Sequence, residues 1–181
     1  MIPKLNNNGF LPPFDLDHPT SHDRSPYKAT LNDISLSFCA SGKRQMIFDG
    51  FLKFRAKLHE IGLLTGFQWI NGSFTQDTEL IDNRDPNDID VVTFFYLPPL
   101  TTQELLFSTY PEVFDMNLIK KQYHVHSFYL ELNNDSDNLD FFVRSITYWY
   151  SLWSHNRYGK WKGFLEVDLS YEQNDVGSGI I

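Results

Sequence analysis

The chain has 181 residues, enough for one domain with a substantial core, and its 41% hydrophobic and 16% aromatic residues indicate a folded protein. A formal net charge of −8 argues against broad, nonspecific binding of nucleic acid, because an acidic surface repels phosphate, but it leaves room for a local basic cleft. The single cysteine, Cys39, excludes an internal disulfide and any zinc site built from several cysteines.

Residues 1–28 are rich in Pro, Asn and Asp and predict an extended arm without regular structure. The arm contains no apolar leader, and no later run is long enough to span a bilayer, so we expect a cytoplasmic protein that makes no membrane contact. Thr30 and Ser41 predict the N-caps of two helices, the second covering 42–61. This second helix carries one apolar stripe and ends at a glycine, Gly62.

The remaining elements predict a sheet with helices around it. Strands are predicted for 68–70, 88–96, 123–132 and 164–169. The polar stretch 76–87 predicts a loop, 133–138 predicts a turn, and two short helices are predicted between 101 and 121. The expected fold is therefore α/β (α+β): one domain, 1–181, with a small, mixed, twisted sheet flanked by helices and a polar tail, 170–181.

Two motifs carry the chemistry. In the first, a strand ends in a turn at Gly72 and Ser73, where a glycine lets the backbone approach a ligand and the serine offers an N–H and a hydroxyl to phosphate. In the second, about fifteen residues later, strand alternation places Asp88 and Asp90 on one face. Such carboxylates hold Mg²⁺ or Mn²⁺, which neutralises a triphosphate in nucleotidyl transfer. The alternative is a plain loop followed by a charged strand edge.

These motifs resemble those of the nucleotidyltransferase superfamily of DNA polymerase β type, a Gly-Ser turn followed by Asp-x-Asp. More narrowly, the chain resembles a small bacterial family of stand-alone nucleotidyltransferase-like proteins. That likeness covers most of the chain and rests on Gly9–Pro13, Gly72–Phe74, Pro86–Val91, Tyr148–Tyr150 and Trp161–Gly163. The resemblance implies the minimal nucleotidyltransferase fold, phosphates held by Gly72 and Ser73, and a bacterial toxin–antitoxin or phage-defence context.

A third carboxylate, expected from the resemblance on the strand 123–132, is missing from its place, which His126 occupies. Three alternatives stay open. His126 replaces the acid functionally as a base or ligand; or Asp140 or Glu131 supplies it; or the protein is a catalytically inactive binding module, such as an antitoxin or regulatory subunit. For His126 taken alone, an ordinary strand histidine with satisfied ring nitrogens is also consistent with the sequence.

The segment from Phe141 to Leu165 contains no acidic residue. Its interleaved aromatic and basic side chains suit a nucleotide or an RNA end, because bases stack on aromatic faces and cations bind phosphates. Arg157 and Lys162 are expected to be exposed and to bind the triphosphate or the acceptor, whereas Arg144 fits an ion pair as well as a phosphate contact. The expected function is transfer of a nucleoside monophosphate from a nucleoside triphosphate to a hydroxyl of a protein or an RNA end.

Overall fold

The structure, a computed structural model, describes residues 2–132 and 139–170. Within these residues the chain forms the following elements: β1 (Tyr27–Lys28), α1 (Leu31–Phe38), α2 (Gly42–Glu60), β2 (Gly66–Asn71), α3 (Thr78–Asp82), β3 (Ile89–Phe95), α4 (Gln103–Thr109), α5 (Pro111–Phe114), α6 (Met116–Tyr123), β4 (Val125–Glu131), α7 (Leu139–Trp153) and β5 (Leu165–Asp168).

The strands form one five-stranded mixed sheet in the order β1-β5-β2-β3-β4. The central hairpin-like pair β2 and β3 is antiparallel, as is the pair β2 and β5, whereas β3 runs parallel to β4 and β1 runs parallel to β5. The predicted fold class, a mixed sheet flanked by helices, is confirmed.

The helix starts follow the predicted caps. The Thr30 side chain accepts from the backbone N–H of Asp33, whose carboxylate accepts from the Thr30 N–H in return, so α1 begins with a complete capping box. Ser41 caps α2 by accepting from the N–H of Arg44. Among the described helices, none is both long enough and apolar enough to cross a membrane.

The two faces of the sheet are covered differently. One face, the α2 face, packs against α1, α2 and the short helices α4 to α6, and it contributes Ile70, Ile89 and Val91 to the larger core. The other, the α7 face, carries Trp69, Val92 and Phe94 beneath α7. Alternation along each strand separates the two sets, so neighbouring residues of β3 belong to different cores.

Several predictions of local structure were wrong or incomplete. The predicted loop 76–87 contains α3, a helix of five residues capped by Asp77, and β1 was not predicted. The N-terminal arm lacks helices, as expected, but it packs against the domain: Phe10 and Leu11 are buried, and the Leu11 carbonyl accepts from the N–H of Gly163. The predicted turn 133–138 and the tail from 171 on lie outside the described residues.

Candidate functional site

A row of polar side chains crosses the sheet at one end of the α7 face. The register pairs Asn71 of β2 with Asp90 of β3, and Asp90 with His126 of β4. Residues paired directly across neighbouring strands point to the same face, so the three side chains lie side by side. The next row along the strands is apolar, which limits the polar surface to this end of the sheet: Trp69, Val92 and Phe128.

Gly72 is required at the turn that follows β2. Its φ is +89°, in the left-handed region, and a Cβ built there would lie 2.5 Å from Oδ2 of Asp90 and 3.2 Å from the Asp90 backbone nitrogen. A Cβ fits there only if the Asp90 carboxylate moves, so the missing Cβ lets that carboxylate lie directly against the turn. Gly72 and Asp90, predicted as separate motif residues, are therefore in contact.

The turn has donors without acceptors. Neither the N–H of Gly72, the N–H of Ser73, nor the Ser73 hydroxyl donates a hydrogen bond to any residue that the structure describes. The Gly72 carbonyl is occupied instead, accepting from the amide Nε2 of Gln76 at 2.9 Å. Consecutive backbone N–H groups without partners form a concave site for an anion such as a phosphate.

Arg44 of α2 anchors the far side of the turn. It donates to the carbonyls of Phe74 (2.7 Å) and Gln76 (2.6 Å) and makes two hydrogen bonds, each 2.7 Å long, to the carboxylate of Glu79 on α3. These bonds lower the pKa of Glu79 to about 2. The sequence analysis missed Arg44, because a basic residue in the first turn of an amphipathic helix usually faces solvent.

Asp90 and His126 form a hydrogen-bonded pair. Nδ1 of His126 lies 3.1 Å from Oδ1 of Asp90. Since an ionised carboxylate only accepts, Nδ1 carries the proton and Nε2 keeps a free lone pair in the neutral ring. Both side chains are about one-third exposed, at 36% for His126 and 30% for Asp90, so a ligand can reach them. His126 also packs on Phe128, which fixes the plane of the ring.

Lys162 is buried, which corrects the expectation that it is exposed. Only 5% of the surface of Lys162 is exposed. Burial lowers the pKa of Lys162 to about 8, and the negative charge of Asp90 opposes that shift. The error came from treating the basic residues of this segment as one group. The structure separates neighbouring residues here: Trp161 is 68% exposed, whereas Lys162 is buried and its charge interacts with that of Asp90.

Asp88 is paired with Lys120, a residue that no sequence signal identified. Nζ of Lys120, on α6, lies 2.5 Å from Oδ2 of Asp88. Within 2–132 and 139–170, no three His, Cys, Asp or Glu side chains are arranged to hold a metal ion. Asp88, Asp90 and His126 therefore do not form a ready three-ligand centre.

Neither alternative for the third carboxylate reaches the site. Glu131 pairs with Phe95, at the opposite end of β4 from His126. Asp140 is exposed and accepts from Nε of Arg144 at 2.8 Å, which also resolves the two options for Arg144 in favour of an ion pair. The position next to Asp90 thus belongs to His126.

Arg157 is exposed, as predicted, but no described contact brings it to Asp90. It lies in the loop between α7 and β5. Of the residues predicted for the site, the structure brings together Gly72, Ser73, Asp90, His126 and Lys162. Asp88 lies immediately before β3 and pairs with Lys120, and no described contact brings its side chain to Asp90, so the shared face of Asp88 and Asp90 stays a prediction.

The carboxylates near the turn supply ligands for one hard cation, but not for two. Asp90 directs Oδ2 at the turn and Oδ1 at His126, and Asp88 offers a second carboxylate if its ion pair with Lys120 opens. Mg²⁺ is commonly bound through one or two carboxylates, with water and phosphate oxygens completing its shell. A two-metal arrangement needs a further bridging carboxylate, and the described residues offer none there.

The chain belongs to DUF6932, a family of unknown function, which matches residues 3–168. The match runs from the N-terminal arm to the last residue of β5 and so includes every residue of the site. No curated protein matches the chain, and no solved structure does.

Proposed function

We propose that this family member is a metal-dependent nucleotidyltransferase, which moves a nucleoside monophosphate from a nucleoside triphosphate to a hydroxyl of a protein or an RNA end. One observation carries the proposal: the carboxylate of Asp90 lies against Gly72, 2.5 Å from where a Cβ would be, at a turn whose N–H groups have no described acceptor. A carboxylate for the cation and amides for the phosphates are thus side by side, as a triphosphate with its metal requires.

The phosphates are bound by the turn and by Lys162. The N–H groups of Gly72 and Ser73 and the Ser73 hydroxyl hold the β and γ phosphates. The Lys162 ammonium lies in a water-poor setting, where its attraction for a phosphate is stronger than at the surface. Because the ammonium makes no hydrogen bond to a described residue, a phosphate oxygen gives it a partner that the folded chain does not.

Asp88 and Asp90 would hold one Mg²⁺ or Mn²⁺. Such an ion supplies positive charge that neutralises the triphosphate and the charge that develops on the leaving group. Asp88 takes part by exchanging its ion pair with Lys120, which is half exposed and free to swing into solvent.

His126 serves as the general base. The acceptor hydroxyl forms a bond to the α-phosphorus, the bond to the bridging oxygen breaks, and pyrophosphate leaves. Nε2 of His126 takes the hydroxyl proton, while Asp90 holds the ring through Nδ1 and stabilises the imidazolium. In this role the Asp90–His126 pair replaces the third carboxylate that the superfamily pattern contains.

A second candidate is a catalytically inactive binding protein, an antitoxin or regulatory subunit that retains the nucleotide site. The ion pair between Lys120 and Asp88 favours it, because a cation already occupies one of the two carboxylates. In such a protein the triphosphate binds, but its α-phosphate is not attacked.

A transfer assay distinguishes the two. The protein is incubated with Mg²⁺ and each nucleoside triphosphate labelled at the α-phosphate, with a pool of single-stranded RNA or the chain itself as acceptor. We expect label in one acceptor, reduced at least about a hundredfold by Asp90→Asn and by His126→Gln. Lys53→Gln, an exposed lysine on α2, is the control. Binding without transfer supports the second candidate, and transfer that survives Asp90→Asn contradicts the first.

A further inference from the structure

The loop 154–163, which joins α7 to β5 and which we call the basic–aromatic loop, is tightly built. The Asn156 side-chain oxygen accepts from the N–H groups of Tyr158 (2.9 Å) and Lys160 (3.0 Å), and the Asn156 N–H donates to the Lys160 carbonyl at 2.9 Å. A bridge between His155 and Trp161 closes its base. The backbone is therefore held in one shape by its own hydrogen bonds.

The side chains of this loop, in contrast, face solvent. Tyr158 is 84% exposed and Trp161 is 68% exposed, and Arg157 and Lys160 are exposed as well. Neither cation forms an ion pair with a residue that the structure describes. A rigid backbone that presents two aromatic rings and two unpaired cations to water is unusual, because large aromatic side chains left exposed commonly mark an interaction site.

The charge around the loop differs from that of the chain as a whole. The protein carries a net charge of −8, yet no acidic residue occurs from Phe141 to Leu165. The nearby Arg144 is neutralised by Asp140, which leaves Arg157 and Lys160 as the loop's uncompensated positive charge. This surface is therefore complementary to a polyanion, although most of the protein is not.

We infer that the basic–aromatic loop binds a single-stranded end of nucleic acid, with bases stacked on Tyr158 and Trp161 and phosphates on Arg157 and Lys160. Aromatic stacking together with cations is how proteins bind single strands without reading their sequence. A protein partner would also use the aromatic rings, but it would not need a segment without acids, 141–165, in an acidic chain.

A cleft beside the loop suits one nucleotide of that strand. Its volume is about 450 Å³, and it lies between Tyr158 and Lys160 on one side and Asn7 and Asn8 of the N-terminal arm on the other. Side-chain amides of asparagine hydrogen-bond to base edges. The one acidic residue in its wall, Asp82, is paired with Arg84 at 3.1 Å, which reduces its repulsion of phosphate.

Contacts at both ends of the loop connect it to the polar row. We therefore assign the bound strand as the acceptor of the nucleoside monophosphate, a part of the inference that rests on the proposed function. At its start, the carbonyl of Trp153 accepts from the Asn71 amide at 3.1 Å. At its end, the Lys162 side chain is close enough to Asp90 for the two charges to interact. Because both ends of the loop adjoin the polar row, the inference places the end of a bound strand at Asp90 and His126.

Fluorescence anisotropy tests the inference. The probes are a labelled single-stranded RNA of about 12 nucleotides, the same sequence as DNA, and the RNA duplex. We expect both single strands to bind and the duplex to bind at least about tenfold more weakly. Tyr158→Ala/Trp161→Ala is expected to weaken single-strand binding at least about tenfold. Arg157→Gln/Lys160→Gln is expected to lower the slope of log affinity against log salt by about 1.4.

The control is Lys53→Gln/Lys121→Gln, which removes the same charge from exposed lysines on α2 and α6, on the other side of the sheet. If the control weakens binding as much as the loop variants do, or if the duplex binds as well as the single strands, the inference is wrong. Label transferred only to protein in the assay above would contradict the acceptor role.

Titration with each Mg²⁺-bound nucleoside triphosphate separates this inference from the proposed function. Binding of single strands by a protein that binds no triphosphate would refute the proposed function and leave the loop as a nucleic-acid site. Triphosphate binding without single-strand binding would refute the loop's role alone. Loss of triphosphate binding in Tyr158→Ala/Trp161→Ala would show that the loop holds the nucleotide donor and would overturn its assignment to the acceptor.

Discussion

Two cations, Arg44 and Lys162, are buried to the same extent near the Gly72–Ser73 turn, at 5% exposure each, but their surroundings differ. Arg44 donates four hydrogen bonds, to Glu79 and to two backbone carbonyls. The Lys162 ammonium makes none to a described residue and has only the more distant charge of Asp90. The folded chain thus supplies hydrogen-bond acceptors for the Arg44 guanidinium, but none among the described residues for the Lys162 ammonium.

We expect this difference to separate a structural cation from one that is available to a ligand. Burying a charge is costly unless it is paired and hydrogen-bonded, so Arg44 stabilises the turn, whereas burial lowers the pKa of Lys162. Under the proposed function, Lys162 is available to a phosphate, whereas Arg44 holds the shape of the turn.

The largest expected effect is on stability at the structural cation. Arg44→Leu leaves the Glu79 carboxylate and two carbonyls without their donor, and we expect the free energy of unfolding to fall by about 3–5 kcal/mol in urea denaturation. Arg84→Leu, the same change at an exposed arginine, is expected to cost less than about 1 kcal/mol. Equal costs for the two variants would mean that Arg44 does not anchor the turn.

Lys162→Met is expected to raise the free energy of unfolding, the opposite of the effect expected for Arg44→Leu. The fall of the lysine pKa from 10.5 to about 8 corresponds to a cost of up to about 3 kcal/mol, which the variant removes at pH 7. Because the folded-state pKa is lowered, this cost is complete below pH 8 and disappears as pH rises to 10.5, so the gain should shrink across that range.

Measurement of unfolding free energy against pH for wild type and Lys162→Met tests this prediction. The variant should also bind triphosphate at least about tenfold more weakly, because it has lost the buried charge. A variant that is less stable than wild type at pH 7 would show that Lys162, like Arg44, has a structural partner.

A smaller effect on stability, with a large effect on binding, is expected for Gly72→Ala. Gly72 and Gly62 share nearly the same φ, +89° and +88°, so alanine at either costs about 1–2 kcal/mol of backbone strain. Only at Gly72 does the new Cβ meet the Asp90 carboxylate, whereas at Gly62 the nearest atom is Cγ of Pro98 at 3.2 Å.

Calorimetry with Mg²⁺ and a triphosphate distinguishes the two glycine variants. Gly72→Ala should bind at least about tenfold more weakly, since it displaces a metal ligand, and Gly62→Ala should bind like wild type. If both variants bind equally well, the contact between Gly72 and Asp90 has no part in ligand binding.

Part of the polar row could be predicted from the sequence, because alternation along a strand is a local property, whereas Asn71 was not singled out. Once 88–96 and 123–132 are strands, Asp90 and His126 must each face one side, and parallel pairing brings them together. The short helix α3 escaped prediction because five residues show no apolar periodicity. The partners Lys120 and Arg44 were not predictable either, since they reach the site from helices distant in sequence and depend on tertiary packing.

The position of Lys162 shows most clearly what could not be predicted from the sequence. Composition identified an acid-free basic segment, but only the path of the chain after the loop decides that Lys160 faces solvent and Lys162 the site. A residue spacing of two predicts the same side for both residues in a strand, but the structure leaves Lys160 exposed and buries Lys162.

The most direct test of the central claim is calorimetric titration of each nucleoside triphosphate, with and without Mg²⁺, into wild type and Asp90→Asn. The account predicts binding of at least one triphosphate that needs Mg²⁺ and is lost in the variant, because the carboxylate against Gly72 holds the metal next to the phosphates. Absence of binding to the wild type, or Mg²⁺-dependent binding that Asp90→Asn leaves unchanged, would contradict the account.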